Sequence, residues 1–342
     1  MNRVILALFL ILLPSSNLHA QTPFYQGKTI KIVAGYGAGS VDDIWARLIA
    51  QYMAKYIPGN PNIIVQNMSG ASSLVAANYL YKIAKPDGLT FGGVRSSLYF
   101  DQLVGRKEVQ FDWAKFTWLG SPTQSNQLLY MRANTPYKTI YDVRKAAVAP
   151  KCGTSGTAAS GYYIPHLLNE TLGTKFNVIT GYKDGPETDL AVEKEEIHCR
   201  AISLETLFVR EPFITWRKNG FVRVLIQTGT KRDPRLPDVP TLYELMNEFK
   251  TPEISKRLAT VIVASGIFGR PFIAMPGIQP DRVKILQTAF MKALSDSALL
   301  AEANDRKLEI DPVAAEELET LAREVMTQLP EVIEKMKQVL GN

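Results

Sequence analysis

The chain has 342 residues, 46% of them hydrophobic and 21% charged, with 39 Lys and Arg against 33 Asp and Glu for a formal net charge of +6. That much apolar mass excludes a disordered or low-complexity chain, and at about 150 residues per domain it points to two domains. Two cysteines exclude both a disulfide-rich scaffold and a four-thiolate zinc module.

The chain opens with Asn2 and Arg3, an unbroken apolar run from Val4 to Leu13, a helix-breaking Pro14-Ser15-Ser16-Asn17 and then Leu18-His19-Ala20. This pattern is a secretory signal peptide over residues 1–20, cleaved after Ala20. The apolar run is well short of the roughly 20 residues that span a bilayer, and no Cys near the cleavage site suggests a lipoprotein. Removing one Arg and no acid leaves 38 basic against 33 acidic side chains, or +5. The exported chain is expected in a compartment where disulfides persist.

The rest reads as strand, glycine turn, helix, repeated. Thr29 to Ala34 is a β-branched strand ending in Gly35-Tyr36-Gly37-Ala38-Gly39-Ser40, and Ile44, Leu48, Ile49, Tyr52 and Tyr56 then recur at helical spacing. Asn62 to Gln66 is a second strand, followed by Asn67-Met68-Ser69-Gly70-Ala71-Ser72 and a helix that begins with Leu74, Ala77, Asn78 and Tyr81. A third strand, Leu89 to Val94, runs into Arg95-Ser96-Ser97. After residue 125, Leu128 to Met131 and Ala147 to Cys152 read as strands. The second leads into Gly153-Thr154-Ser155-Gly156-Thr157-Ala158-Ala159-Ser160-Gly161 and a helix from Tyr162 to Leu172. Strand Phe176 to Thr180, the turn Gly181-Tyr182-Lys183-Asp184-Gly185 and strands Ile197 to Ile202 and Val222 to Gln227 complete this half. Helices opened by Pro280-Asp281, Asp311-Pro312 and Pro330 finish the chain. Strands alternating with helices of this length imply parallel βαβ units, which bind ligands beyond the carboxyl ends of their strands.

Four of these turns, at 35–40, 67–72, 153–161 and 181–185, join a strand to a helix and are rich in Gly, Ser and Thr. Small residues there let backbone N–H groups approach an anion, and each following helix turns its positive end toward it. Their division between two halves of the chain predicts one shared cleft. Nucleotide fingerprints do not fit, because no G-x-x-x-x-G-K-[ST] occurs and Gly35-Tyr36-Gly37-Ala38-Gly39 carries Ser40 where a third glycine would fall.

Catalysis finds little support. Cys152 before Gly153-Thr154-Ser155-Gly156 could suggest a nucleophile, but nothing places either remaining histidine, His166 or His198, beside it. Two His and two Cys without close ligand spacing give no metal site. Cys152 and Cys199 each fall in a predicted strand of the second half and are expected to pair, with two buried free thiols as the alternative. Arg95, placed directly after a strand, should emerge at the cleft edge and can grip a carboxylate in bidentate fashion. A surface pairing with Asp101 is the competing reading, and Lys183 is a second candidate.

The block from Gly37 to Leu48 (Gly-Ala-Gly-Ser-Val-Asp-Asp-Ile-Trp-Ala-Arg-Leu) resembles the first strand-turn-helix of the Bug family, the substrate-binding proteins of tripartite tricarboxylate transporters. Val65 to Ala71, Lys85 to Thr90 and Leu236-Pro237-Asp238-Val239-Pro240-Thr241-Leu242 resemble its later motifs in the same order. The resemblance implies an α/β, type II periplasmic binding protein with two lobes, a hinge and an interlobe cleft. It divides the chain into residues 21–124 plus 246–342 for the first lobe and 125–245 for the second. It implies location in the periplasm and delivery of a small organic mono- or dicarboxylate to a membrane carrier of one large and one small subunit. A monomer without cofactor, metal or nucleic-acid partner is expected, and not an enzyme. Carried over by position, the ligand set is Gly39, Ser40, Val41 and Asp42 with Asn67 and Ser69 on the first lobe, and Ser155, Gly156, Thr157 and Tyr182 on the second. Ala38 stands where the family commonly has proline, Val41-Asp42 where small hydroxyls are usual, Ile202-Ser203 where an acidic-Ser pair is frequent, and residues 246–270 look long. The alternatives are a sensor subunit for a membrane kinase and an exported enzyme using Cys152 or a serine.

Overall fold

The structure, a computed structural model, describes residues 22–154, 156, 159–182 and 185–340. The signal peptide and its cleavage point therefore lie outside the described residues. In chain order the elements of the amino-terminal part are β1 Thr29–Ala34, α1 Val41–Met53, β2 Asn62–Asn67, α2 Leu74–Lys82, β3 Thr90–Gly93, α3 Leu98–Leu103 and β4 Thr117–Gly120. The middle part comprises β5 Gln127–Arg132, α4 Ile140–Lys145, β6 Lys151–Gly153, α5 Ser160–Leu172, β7 Asn177–Ile179, α6 Gly185–Glu193, β8 Cys199–Ser203, α7 Leu204–Val209, α8 Phe213–Lys218 and β9 Val222–Gln227. The remainder is α9 Leu242–Glu248, α10 Glu253–Phe268, β10 Phe272–Ala274, α11 Pro280–Leu294, α12 Ser297–Asp305, α13 Ala315–Met326 and α14 Pro330–Leu340.

The strands form two sheets, β2-β1-β3-β10-β4 and β7-β6-β8-β5-β9. Parallel pairing holds for β1 with β2 and β3 and for β6 with β7 and β8. It does not hold throughout: β10 runs antiparallel to β3 and β4, and β5 antiparallel to β8 and β9. The two directions correspond to the two segments that pass between the sheets, each of which enters its new sheet against the local strand direction. Strand β1, packed between two neighbours, is buried along its second half, whereas edge strand β2 alternates between exposed and half-buried residues. Gly92 permits the close fit of β3 on β1, since a Cβ there would run into the Val33 carbonyl.

Helix starts follow capping chemistry. Ser40 caps α1 by accepting from the Asp43 N–H, and reciprocal capping boxes join Thr139 to Asp142 on α4 and Thr241 to Glu244 on α9. The helix expected from Asp311-Pro312 begins at Ala315.

One apolar core lies under the first sheet, where Trp45 and Ile49 of α1 meet Phe290 of α11. A second runs continuously from Leu80 and Trp118 through Ile262 and Phe268 of α10 to Leu167 and Leu129. Trp118 stacks on Phe268 with ring centroids 5.3 Å apart and meets Trp113 edge-on at 5.1 Å. A third core, with Tyr130, Phe213 and Trp216, lies on the other face of the second sheet.

The chain passes between the sheets twice, from β4 to β5 and from β9 by way of α9 and α10 to β10. The two passages touch, because the Ser125 N–H donates to the Gly266 carbonyl at 2.8 Å. Gly269 sits beside them at φ 59 and ψ −107, where any side chain would strike the Thr123 carbonyl. Cys152 of β6 and Cys199 of β8 are direct neighbours in register, with Cα atoms 4.5 Å apart, and form a disulfide. Cys152 therefore has no thiol to act as a nucleophile, which removes the enzyme reading built on it.

Candidate functional site: an arginine-lined interlobe cleft

A cavity of about 300 Å³ lies between the lobes, at the small end of the range for ligand sites. The first lobe supplies Tyr36 from the turn after β1, Asp42 from the start of α1, and Arg95, Ser96 and Ser97 from the segment after β3. The second supplies Ala159, Ser160 and Tyr163 from the start of α5, and Arg200, Ile202, Ser203, Thr206 and Arg210 from β8 and α7. Ser265, Gly269 and Arg270 come from the return passage. Helix α5 has no side-chain cap at Ala159, so its positive end faces the cavity.

The first turn is organised by a carboxylate of its own. Asp43 is buried and accepts from the Gly39 N–H at 2.8 Å, from Arg47 Nε at 3.0 Å and from Asn67 Nδ2 at 2.7 Å. Burial alone would raise its pKa, but the bonds from Arg47, Gly39 and Asn67 hold it below the usual carboxylate value. Asn67 also donates to the Tyr36 carbonyl at 3.1 Å and accepts from Arg47 at 3.2 Å. The Gly39 N–H and the Asn67 amide are thus engaged within the first lobe.

Arg95 emerges where β3 ends, its guanidinium carbon 5.9 Å from the centre of the Tyr36 ring. Its Nε is buried without a hydrogen-bond partner. Asp101, the competing partner, pairs instead with Arg106 at 3.2 Å, and among the described residues no acid pairs with Arg95. Beside it, the Tyr36 hydroxyl is pushed up by burial and by Asp42, with Arg95 and Arg270 opposing. Burial likewise raises Tyr163, against a hydrogen bond with Ser265 and the charge of Arg95.

Arg270 spans the two lobes. It donates to Asp42 at the start of α1 and, at 2.8 Å, to Glu205 of α7. Its backbone N–H is fixed by Ser121 Oγ at 3.0 Å. The arginine is 13% exposed and Glu205 5%. Burial works against the Arg270 charge, but Asp42 and Glu205 raise its pKa above the usual arginine value. Arg200 and Arg210 both donate to one buried carboxylate, Asp189, and Arg200 also reaches the Gly185 carbonyl at 3.1 Å. Burial raises Asp189, opposed first by Arg200 and then by Arg210. Among the described residues four guanidinium groups thus meet three carboxylates, Asp42, Asp189 and Glu205, leaving one positive charge in excess.

Of the residues expected from sequence, Asp42 and Arg95 line the cavity. Ser40 caps α1, Val41 is half-buried, Ser69 is exposed, and Gly156 exchanges hydrogen bonds with Thr154 at 3.2 and 3.4 Å. Tyr182 packs over Gly153. Ser155, Thr157 and Lys183 lie outside the described residues. Arg200, Arg210 and Arg270 were not anticipated. A signal existed for the first of them, since an arginine between Cys199 and Ala201 in a buried strand demands a buried acid.

Two α/β lobes facing each other across one cation-lined cleft define a two-lobed solute-binding receptor. The sequence profile described as "Tripartite tricarboxylate transporter family receptor" matches residues 45–338. The chain belongs to that family, whose members are receptors of the periplasmic binding type. A UPF0065 protein from the gbd 5' region of Cupriavidus necator is 29% identical over 281 residues, 80% of this chain and 77% of the relative. A UPF0065 protein of Bordetella bronchiseptica is 25% identical, covering 72% of this chain and 71% of the relative. Among solved structures, a TctC solute-binding protein from Polaromonas without ligand superimposes with TM-score 0.68 at 17% identity, covering 92% of this chain and 99% of that one. A Rhodopseudomonas palustris protein with adipate gives 0.65 at 19% identity, with 92% and 97% covered. MatC of the same organism with bound malate gives 0.62 at 20%, with 92% and 99% covered.

Proposed function

We propose that this protein is a periplasmic receptor that closes over a small organic carboxylate and hands it to a tripartite tricarboxylate-type carrier of one large and one small membrane subunit. Export after cleavage at Ala20, a monomeric state, lobes of 21–124 plus 246–342 and of 125–245, and binding without turnover belong to the same proposal. The observation that carries it is Arg95, a cation at the cleft wall with a buried, unpartnered Nε and, among the described residues, no acid paired with it. The malate and adipate of the two Rhodopseudomonas palustris structures support a carboxylate as its partner. Asp42 is proposed to face the ligand on one side, where Gly39, Ser40, Val41, Asn67 and Ser69 are proposed to act by shaping the turns behind it, and Ser155, Gly156, Thr157 and Tyr182 are proposed to frame the other side.

A thermal-shift screen against carboxylates tests the reading, because a ligand at 100 times its dissociation constant adds about 2.7 kcal/mol of stability. A charged hydrogen bond makes Arg95→Ala weaken binding by about 1.5–3 kcal/mol. Unchanged affinity removes Arg95 from the site, and the absence of a shift with every carboxylate refutes the receptor assignment.

A further inference from the structure

We propose that Arg200 and Arg210 set the charge specificity of the cleft, acting with Arg95 on the opposite wall to select a ligand with two anionic groups over one with a single group. The inference rests on the carboxylate-receptor reading and deepens it.

Asp189 is 3% exposed and gives one oxygen to each arginine, Oδ1 to Arg200 and Oδ2 to Arg210. Two cations share one anion, so among the described residues this wall carries a positive charge beyond what Asp189 cancels. Arg210 is 41% exposed and spends one nitrogen on Asp189, which leaves the rest of its donor fork available at the cavity it lines. Arg95 carries the matching excess at the end of β3 on the first lobe. Arg270 adds none, because Asp42 and Glu205 both pair with it and make that end of the cleft negative by one charge. The positive excess therefore stands at two places on opposite lobes. One carboxylate can satisfy one of them, whereas a ligand with an anionic group at each end satisfies both and ties the lobes together. A bidentate arginine discriminates such a group by geometry as well as charge.

Isothermal titration of the mature protein with succinate, glutarate and adipate against butyrate, valerate and hexanoate tests the inference. The tightest diacid is expected to bind at least roughly tenfold better than the monoacid of equal chain length, as one charged hydrogen bond provides. Arg210→Gln, which leaves Asp189 paired one-to-one with Arg200, should bring that ratio close to one. Arg210→Lys should keep part of the ratio. A wild-type ratio near one, or a ratio unchanged in Arg210→Gln, overturns the inference while binding of monoacids leaves the receptor reading standing. Failure of every carboxylate to bind overturns both.

Discussion

Arg270 is held by carboxylates from both sides of the cleft, and its removal has a calculable cost. In Arg270→Met the long apolar stem is roughly kept while the charge is lost. Glu205, 5% exposed, already has Oε1 buried without a partner, and its Oε2 loses the guanidinium donor. Asp42, 21% exposed, can turn toward water and suffers less. Breaking a buried pair from one side costs about 3–5 kcal/mol, because the stranded charge stays desolvated. Urea denaturation of the unliganded protein should therefore show Arg270→Met less stable by about that amount. Glu205→Gln in the same chain removes the stranded charge and should restore part of the loss, giving a coupling energy well above the about 0.5 kcal/mol scatter of independent sites. A single variant within about 0.5 kcal/mol of wild type, or strictly additive effects in the double variant, would refute the reasoning.

Three further outcomes follow from the fold. Reducing Cys152–Cys199, which are 47 residues apart in sequence, frees a loop whose closure contributes roughly 4 kcal/mol in the chain-entropy account; an unchanged urea midpoint after complete reduction would contradict it. Asp296 is held below the usual carboxylate value by hydrogen bonds from Lys55 and Tyr56, joined by the Ala298 and Leu299 N–H groups. A depressed folded pKa contributes stability above the unfolded value of about 3.9 and loses it as the pH falls from there through the folded value. Asp296→Asn should accordingly flatten the acid limb of stability against pH, and parallel acid limbs for variant and wild type would count against that linkage. Gly269→Ala forces a side chain into a glycine-only conformation against the Thr123 carbonyl. It should cost at least about 1–3 kcal/mol in thermal or urea unfolding, and a silent substitution would show that the passage between the lobes relaxes.

The two-lobe α/β plan was legible because glycine turns punctuate it. Gly35 to Ser40, Asn67 to Ser72 and Gly153 to Gly161 mark where strands stop and helices start, and the parallel pairs of both sheets follow from them. Strand direction was not legible at β5 and β10, since an apolar run is the same read either way. Four residues at Thr117–Gly120 and three at Phe272–Ala274 are too few for a period to show, and burial by distant segments makes them strands. At the site, Arg95 was readable from its place after a strand. Arg270 and Arg210 follow helices, and the acids that fix them, Asp42, Glu205 and Asp189, are remote in sequence, so their pairing exists only once the chain is folded. That the Asn67 amide also bonds Asp43 and the Tyr36 carbonyl was not readable from its turn, because it depends on where α1 lands.

The position of β10 has a consequence for how the protein comes into being after export. Strand β4 meets no other strand in its sheet, and β3 has an open side, until Phe272–Ala274 slides between them. That segment follows the whole of the second sheet, whose five strands lie in one uninterrupted stretch from Gln127 to Gln227. As the chain threads out amino end first, the second sheet can therefore complete its pairing while the first still presents two unpaired edges. Such edges invite association with other chains. The interval between emergence of β4 and arrival of β10 is thus the one in which the first sheet is open to such pairing.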